Sequence, residues 1–316
     1  MSSDPSLPAP PGVEHCYRHP SEQTGVHCTR CGRPICPACM IEAPVGYQCP
    51  ECVAEARSEF RKGPGRRIAV ANAKGVSLTK VLLVALAGIY ALEVIPVVLN
   101  WTDDPVGAGA LFNGPSVIRL VELGGSVGYA IDPQNDLVGI AAGQYWRLFT
   151  AMFLHANLIH LGLNAYALYL FGRTVESELG RMRFALIYLS SGLFASAVSY
   201  ALSDPNGVAI GASGAIFGVF GAFFAYNFRR RHQALAAARI QQMVVLLAIN
   251  LFLGFSVSGI DWRAHVGGFI GGLAAGFAAE GTGDLARRRA ILVGGFAAIF
   301  AVTAAIVAYR TAELTG

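Results

Sequence analysis

The sequence predicts an all-α membrane protein preceded by a small metal-binding domain. Three observations carry that prediction. The 316 residues are 54% hydrophobic and only 14% charged, where a soluble domain carries roughly a quarter charged residues. Beyond about residue 80 the apolar stretches are long enough to cross a bilayer, which takes ~20 residues per helix. All seven cysteines fall between Cys16 and Cys52, leaving the apolar part without any.

From the N-terminus, residues 1–14 are rich in Pro and Ser and read as a disordered tail. Residues 15–55 form the cysteine module. Its knuckles are Cys16-x2-His19, Cys28-x2-Cys31, Cys36-x2-Cys39 and Cys49-x2-Cys52. Four two-residue gaps supply eight ligands, enough for two tetrahedral zinc ions. Thiolate and imidazole suit zinc, and a domain of about 40 residues has too little core to fold without a staple. Clustered knuckles of this kind argue for a metal module in a reducing compartment rather than a disulfide framework. The segment resembles B-box-type zinc fingers. Cross-brace pairing would put Cys16, His19, Cys36 and Cys39 on one ion and Cys28, Cys31, Cys49 and Cys52 on the other. Sequential pairing is the alternative, with His15 or His27 able to replace His19. Closed sites of this type are structural, so the module is expected to serve a cytoplasmic protein partner rather than chemistry.

A basic linker, 56–79, follows, and the first span reads as Val81–Leu99. Segment 101–145 mixes Gly, Pro, Asn and charges with scattered apolar residues, as an interfacial loop does. Six more spans read as Leu148–Phe171, Phe184–Leu202, Ser213–Phe228, Met243–Val257, His265–Ala279 and Ile291–Tyr309, the fourth to sixth short for a full crossing. The first 75 residues contain no apolar signal-peptide core, so the N-terminus is expected to stay where it is made. With that end in the cytoplasm, the inner loops receive the basic linker, Arg173, Arg181, Arg183, Arg229–Arg231, Arg239 and Arg287–Arg289. The outer segments keep Arg119, Arg147, Arg263 and Arg310. The bias favours a multi-pass protein of the cell membrane with its N-terminus inside and its C-terminus outside. The richness in Ala, Gly, Val and Arg points to a bacterial source.

Polar groups inside spans are costly and therefore informative. Leaving aside glutamates near span ends (Glu93, Glu176, Glu178 and Glu280), the short list of ionisable or nucleophilic candidates is His155, His160 and Asn164 in the second span, Ser213 at the start of the fourth and His265 at the start of the sixth. In this topology the even-numbered spans run from outside to inside, so Ser213 and His265 share one depth. Small residues recur every four positions on both helices: Gly214, Gly218 and Ala222 on one, Gly268, Gly272 and Gly276 on the other. Such rows let backbones approach closely, close enough for a base-activated nucleophile. His160 and Asn164 lie one turn apart on a single face, two donors suited to a developing oxyanion. His155 sits about 140° around the helix from His160 and is expected to hold the adjacent outer loop.

At this point residues 80–280 resemble the rhomboid proteases. The matching motifs are Trp146-Arg147, His155-x4-His160-x3-Asn164, Gly172-x3-Glu176-x3-Gly180, Gly211-x-Ser213-Gly214 and Ala264-His265-x2-Gly268-x3-Gly272. The resemblance implies a six-helix bundle, here with a seventh transmembrane helix at 290–310. It implies Ser213 as nucleophile, His265 as general base, and an oxyanion and substrate site from His160, Asn164, Gly211 and the Ser213 backbone N–H. It also makes Trp146-Arg147 part of a loop in the outer leaflet, Glu176 a structural group at the inner end of the second span, and Phe217 an aromatic that packs on the histidine. The implied substrates are single-pass transmembrane proteins cut within the lipid bilayer near its outer face; no cofactor for catalysis and no nucleic acid are expected.

Other intramembrane protease chemistries fit poorly. A His-Glu-x-x-His metal motif is absent, and every Asp lies outside the expected spans. A non-proteolytic rhomboid-like protein that binds transmembrane partners is the competing class, though such relatives usually lack Ser or His. A transporter would be built from repeats, and none is evident.

Overall fold

The structure is a computed structural model, and it describes residues 14–43, 46–62, 76–131, 136–257 and 259–316. Most of the tail (1–13) and most of the basic linker (63–75) lie outside the described residues. The chain divides into two compact units, Met1–Ala73 and Lys74–Gly316.

The first unit contains a 3-10 turn, Pro37–Cys39, a hairpin of β1 (Ile41–Glu42) and β2 (Tyr47–Gln48), and helix α1 (Pro50–Lys62). Its buried cluster holds Cys16, Cys28, Cys36, Cys39, Cys49 and Cys52 around one aliphatic side chain, Ile35. That much apolar material cannot offset the entropy of ordering some 50 residues.

The second unit is a helix bundle. Helix α2 (Leu78–Val98) is followed by the short helices α3 (Ala110–Asn113) and α4 (Val117–Glu122), then a hairpin of β3 (Ala130–Ile131) and β4 (Leu137–Val138). Among its described residues, segment 101–145 therefore contains no helix long enough to span, as its composition indicates. Arg147 fastens it: the buried guanidinium donates from Nη1 to the carbonyls of Val121 (2.6 Å) and Gly125 (3.0 Å) and from Nε to Gln144 Oε1 (2.6 Å).

The second expected span, Leu148–Phe171, is broken. Helix α5 (Arg147–Thr150) and a 3-10 turn to Phe153 meet the next helix at 92°. The chain restarts at Asn157, which caps the new helix by accepting from His160 N–H (2.8 Å). That helix runs as α6 (Leu158–Ala167), a π turn (Leu168–Gly172) and α7 (Arg173–Leu179). The remaining helices are α8 (Arg181–Leu202), α9 (Ser213–Arg229), α10 (Ala234–Ser256), α11 (Trp262–Ala279) and α12 (Leu285–Thr315). Helix α10 starts nine residues before the expected Met243, because Ala-rich turns with Arg239 and two glutamines are good helix formers despite their polarity.

Among the described residues four helices, α2, α8, α10 and α12, are long and apolar enough to cross a membrane, or five if the bent pair counts as one. Helices α9 and α11, 17 and 18 residues long, sit at the centre. The seven-span count thus goes beyond what length and hydropathy establish. Helix α10 is the least enclosed, with 11% of its apolar window buried.

Glu176 ties α7 to the start of α2. Its carboxylate accepts from Ser77 Oγ, Leu78 N–H and Thr79 Oγ1 (each 2.7 Å) and from Thr79 N–H (2.9 Å). It supplies the acceptors that the first turn of a helix lacks, at the positive end of the dipole. Glu176→Ala strands these donors in a buried setting and is expected to cost about 2–4 kcal/mol. A fall in the thermal midpoint of the purified protein checks it; an unchanged midpoint refutes the cap.

Candidate functional site

Helices α9 and α11 pack through the glycine rows. A Cβ at Gly268 would collide with the Gly214 carbonyl, and one at Gly272 with the Gly218 carbonyl. A Cβ at Gly276 would lie 2.7 Å from Ala222 Cα. The register 214–268, 218–272, 222–276 rises along both helices, so they run parallel and Ser213 and His265 share one end. Phe217, one turn beyond Ser213, lies flat on the His265 ring, with centroids 4.3 Å apart and planes 11° apart. Stacking removes rotational freedom from the imidazole. Its Nδ1 is buried without a hydrogen-bond partner, and Ser213 Oγ and His265 are not hydrogen-bonded to each other.

Ser213 is the first residue of α9, so its backbone N–H is one of the unpaired donors at a helix N-terminus. The turn before it depends on Gly211, whose φ of +117° favours glycine. The closeness of the neighbours requires glycine as well. A Cβ there would lie 2.7 Å from His160 Cε1, 2.8 Å from His160 Nε2 and 3.6 Å from Asn164 Nδ2. His160 Nδ1 faces Ala156 N–H (3.5 Å), which leaves the proton for Nε2 on the Gly211 side. Asn164 is buried and its Nδ2 has no acceptor. Two side-chain donors and a helix N-terminus therefore converge beside Gly211, as a site for a developing negative charge requires.

His155 makes contacts of its own, and it lies in the break before α6 rather than 140° around a continuous helix as the sequence reading placed it. Fully buried, it bonds through Nδ1 to the Phe153 carbonyl (3.1 Å) and sets its ring edge-on to His160, with centroids 5.2 Å apart. Its backbone N–H donates to Glu93 Oε2 (3.2 Å). Sequence reasoning set Glu93 aside as a group near a span end; it is buried, 2% exposed. A carboxylate within an apolar helix was the available signal.

Asp261 was also missed. It caps α11 by accepting from Ala264 N–H (3.1 Å) and is hydrogen-bonded to Ser199 of α8. With Ser196, Ser199 and Ser213 it lines a cavity of about 30 Å³ behind the nucleophile candidate, room for a water molecule or two. Its place four residues before His265, ahead of an apolar run, is an N-cap signature.

The sequence profile described as "Rhomboid domain" matches residues 142–282. "Rhomboid protease GluP" of Bacillus subtilis is 43% identical over 150 residues, 48% of this chain and 28% of the relative. "Putative rhomboid protease YdcA" of the same organism is 35% identical over 140 residues, 44% of this chain and 70% of that protein. The chain belongs to the rhomboid family. "RHOMBOID-like protein 6, mitochondrial" of Arabidopsis thaliana is 36% identical over 169 residues, about half of each chain. This rhomboid spans 28% of the length of GluP, and the family profile matches within the membrane bundle. The matched region holds the broken second span, α9 and α11, and therefore every residue of the glycine register.

Outside the matched region, this rhomboid brings its cysteines together in two tetrads, Cys16–His19–Cys36–Cys39 and Cys28–Cys31–Cys49–Cys52, each with ligand atoms within 4.8 Å of one another. This is the cross-brace grouping. His27 bonds instead to Glu14. His19 Nδ1 lies 3.3, 3.4 and 3.8 Å from the sulfurs of Cys36, Cys39 and Cys16, and Cys31 and Cys49 sulfurs are 3.8 Å apart. Ligands at ~2.0–2.3 Å from a tetrahedral ion stand about 3.5–3.8 Å apart, so both tetrads fit a metal. Their charges fit as well. Burial raises the Cys28 thiol, but the backbone N–H groups of Cys49, Cys31 and Arg30 outweigh it and hold it at about 6. Cys52 is pushed up to about 12 by burial and then by the sulfurs of Cys49, Cys31 and Cys28. A central dication relieves that competition and lets all four groups bind as anions.

Proposed function

We propose that this rhomboid is an intramembrane serine protease that cleaves single-pass transmembrane proteins near the outer membrane face. Ser213 Oγ attacks the scissile carbonyl, His265 takes its proton and returns it to the leaving amine, and no acidic residue completes a triad. His160 Nε2–H, Asn164 Nδ2 and the Ser213 backbone N–H stabilise the tetrahedral oxyanion. The observation that carries the reading is the glycine register, which sets the N-terminal ends of two parallel helices side by side with Phe217 seated on His265. The arginine bias supports seven spans, with the N-terminus in the cytoplasm and the C-terminus outside.

One observation favours a second reading, a membrane protein that binds transmembrane partners without cutting them: Ser213 and His265 are not hydrogen-bonded. Catalytic hydrogen bonds commonly tighten only once substrate is bound. A serine-directed fluorophosphonate probe decides between the two readings. Covalent labelling at Ser213 that disappears in His265→Ala is expected of the protease; an unlabelled wild type supports the binding protein. Asn164→Ala should slow cleavage by about 10²–10³-fold with little change in KM. An undiminished rate would remove Asn164 from the oxyanion site.

The N-terminal tetrads hold two structural zinc ions in this reading, with Cys16, His19, Cys36 and Cys39 on one and Cys28, Cys31, Cys49 and Cys52 on the other. The ions would stand in for the missing core and present a surface to a cytoplasmic protein partner.

A further inference from the structure

At the end of the bundle opposite Ser213 a cleft of about 810 Å³ opens between the end of α7, the start of α8, the ends of α9 and α11, and the first turns of α12. That volume is in the range of small-molecule sites. Five arginines line it, Arg183, Arg229, Arg230, Arg288 and Arg289, against two carboxylates. Both carboxylates already have partners, Glu280 within the cleft itself. Glu280 is held by Arg230 (2.7 Å) and Arg229 (3.8 Å), and Glu178 accepts from Tyr226 Oη (2.5 Å). Arg183 and Arg289 enter no ion pair among the described residues, and Arg288 donates to the Gly283 carbonyl (2.8 Å). Three positive charges are left facing the cleft.

Two of them also stand near a helix N-terminus. Arg288 closes the first turn of α12 and Arg289 follows it, a place where the helix dipole disfavours cations, and the acidic group there is the N-cap Asp284, which accepts from Arg287 N–H (2.8 Å). Positive-inside bias accounts for arginines at this end of the bundle. It does not account for their convergence on one cavity. Five guanidinium groups against two carboxylates leave the lining net positive, which points to an anionic ligand, and forked guanidinium donors match phosphate.

The same walls carry Leu179, Leu285 and Leu292. Past Leu292 the α12 surface continues outward with Val293, 68% exposed, on a helix apolar enough to span. Phosphate-binding groups at the mouth and an apolar track leading away suit an amphiphile better than a soluble anion. We propose that this cleft binds the headgroup phosphate of an anionic phospholipid, with an acyl chain laid along α12.

The test uses the full chain in phosphatidylcholine nanodiscs and a photoreactive phosphatidylglycerol or phosphatidylcholine analogue. Wild type should crosslink the anionic analogue about tenfold more than the zwitterionic one, at peptides from α8 and the first turns of α12. Combining Arg183→Gln, Arg288→Gln and Arg289→Gln should abolish that preference. A charge-matched control, Arg231→Gln with Arg239→Gln and Arg287→Gln, removes as much charge without touching the lining and should keep it. Equal labelling by the two lipids overturns the proposal, as does a control that loses as much as the cleft variant. So does displacement of the lipid by inorganic phosphate, which would make the ligand a free anion. Wild-type crosslinks that map elsewhere overturn it even if the triple variant fails to fold.

Discussion

Ser213→Ala and His265→Ala are each expected to lower cleavage of a reconstituted transmembrane substrate by at least about 10³-fold, and the double variant to lose little beyond either single one. A nucleophile and its base act as one unit, so removing either collapses the same step. Residual rate would come from the oxyanion donors and from binding, which the substitutions leave in place. Ser213 begins α9 and His265 lies half-buried on α11, so neither change opens a large cavity or disturbs the glycine register. KM should therefore move much less than kcat. Undiminished cleavage in either variant would sink the dyad. An inactive wild type would leave a rhomboid that recognises transmembrane segments without cutting them.

Stripping metal from the N-terminal unit should have a similarly large effect, on folding rather than on chemistry. A strong cell-permeant chelator added to the full chain is expected to remove two zinc ions and render residues 14–62 sensitive to protease, while the membrane unit stays resistant. Structural zinc supplies on the order of 10–16 kcal/mol in small modules. Ile35 and a few partly buried neighbours cannot replace it. Cys28→Ser should lower the metal content below two and expose the same segment. A unit that keeps its protection after complete chelation would show that the tetrads do not hold it together.

Much of this was legible in the chain. The spacing of four two-residue knuckles announced two tetrahedral sites. Small residues every fourth position on two segments, each headed by Ser213 or His265, announced a close parallel pair. Both signals are short-range patterns that survive without knowledge of the fold. The break after Phe153 was not legible, because Leu148–Phe171 is apolar enough on average to read as one span and hydropathy does not register a change of direction. The turn is written in Asn157, a capping residue inside an apolar run. Glu93 and Asp261 escaped for a related reason. A carboxylate near a span end reads as solvated until the groups packed against it are known.

The sequence by itself therefore determined the helical membrane class, the metal-binding composition of the N-terminal unit and the residue types available for chemistry. Periodicity and spacing report composition along one chain segment, which is enough for those conclusions. Only the tertiary structure decided that Gly268 faces Gly214 and Gly272 faces Gly218, that Gly211 abuts His160 and Asn164, and that His19 joins Cys36 and Cys39. Those pairings join residues 17 to 54 positions apart. They follow from which surfaces can approach without a Cβ between them and which buried polar groups find partners, and both are properties of packed surfaces.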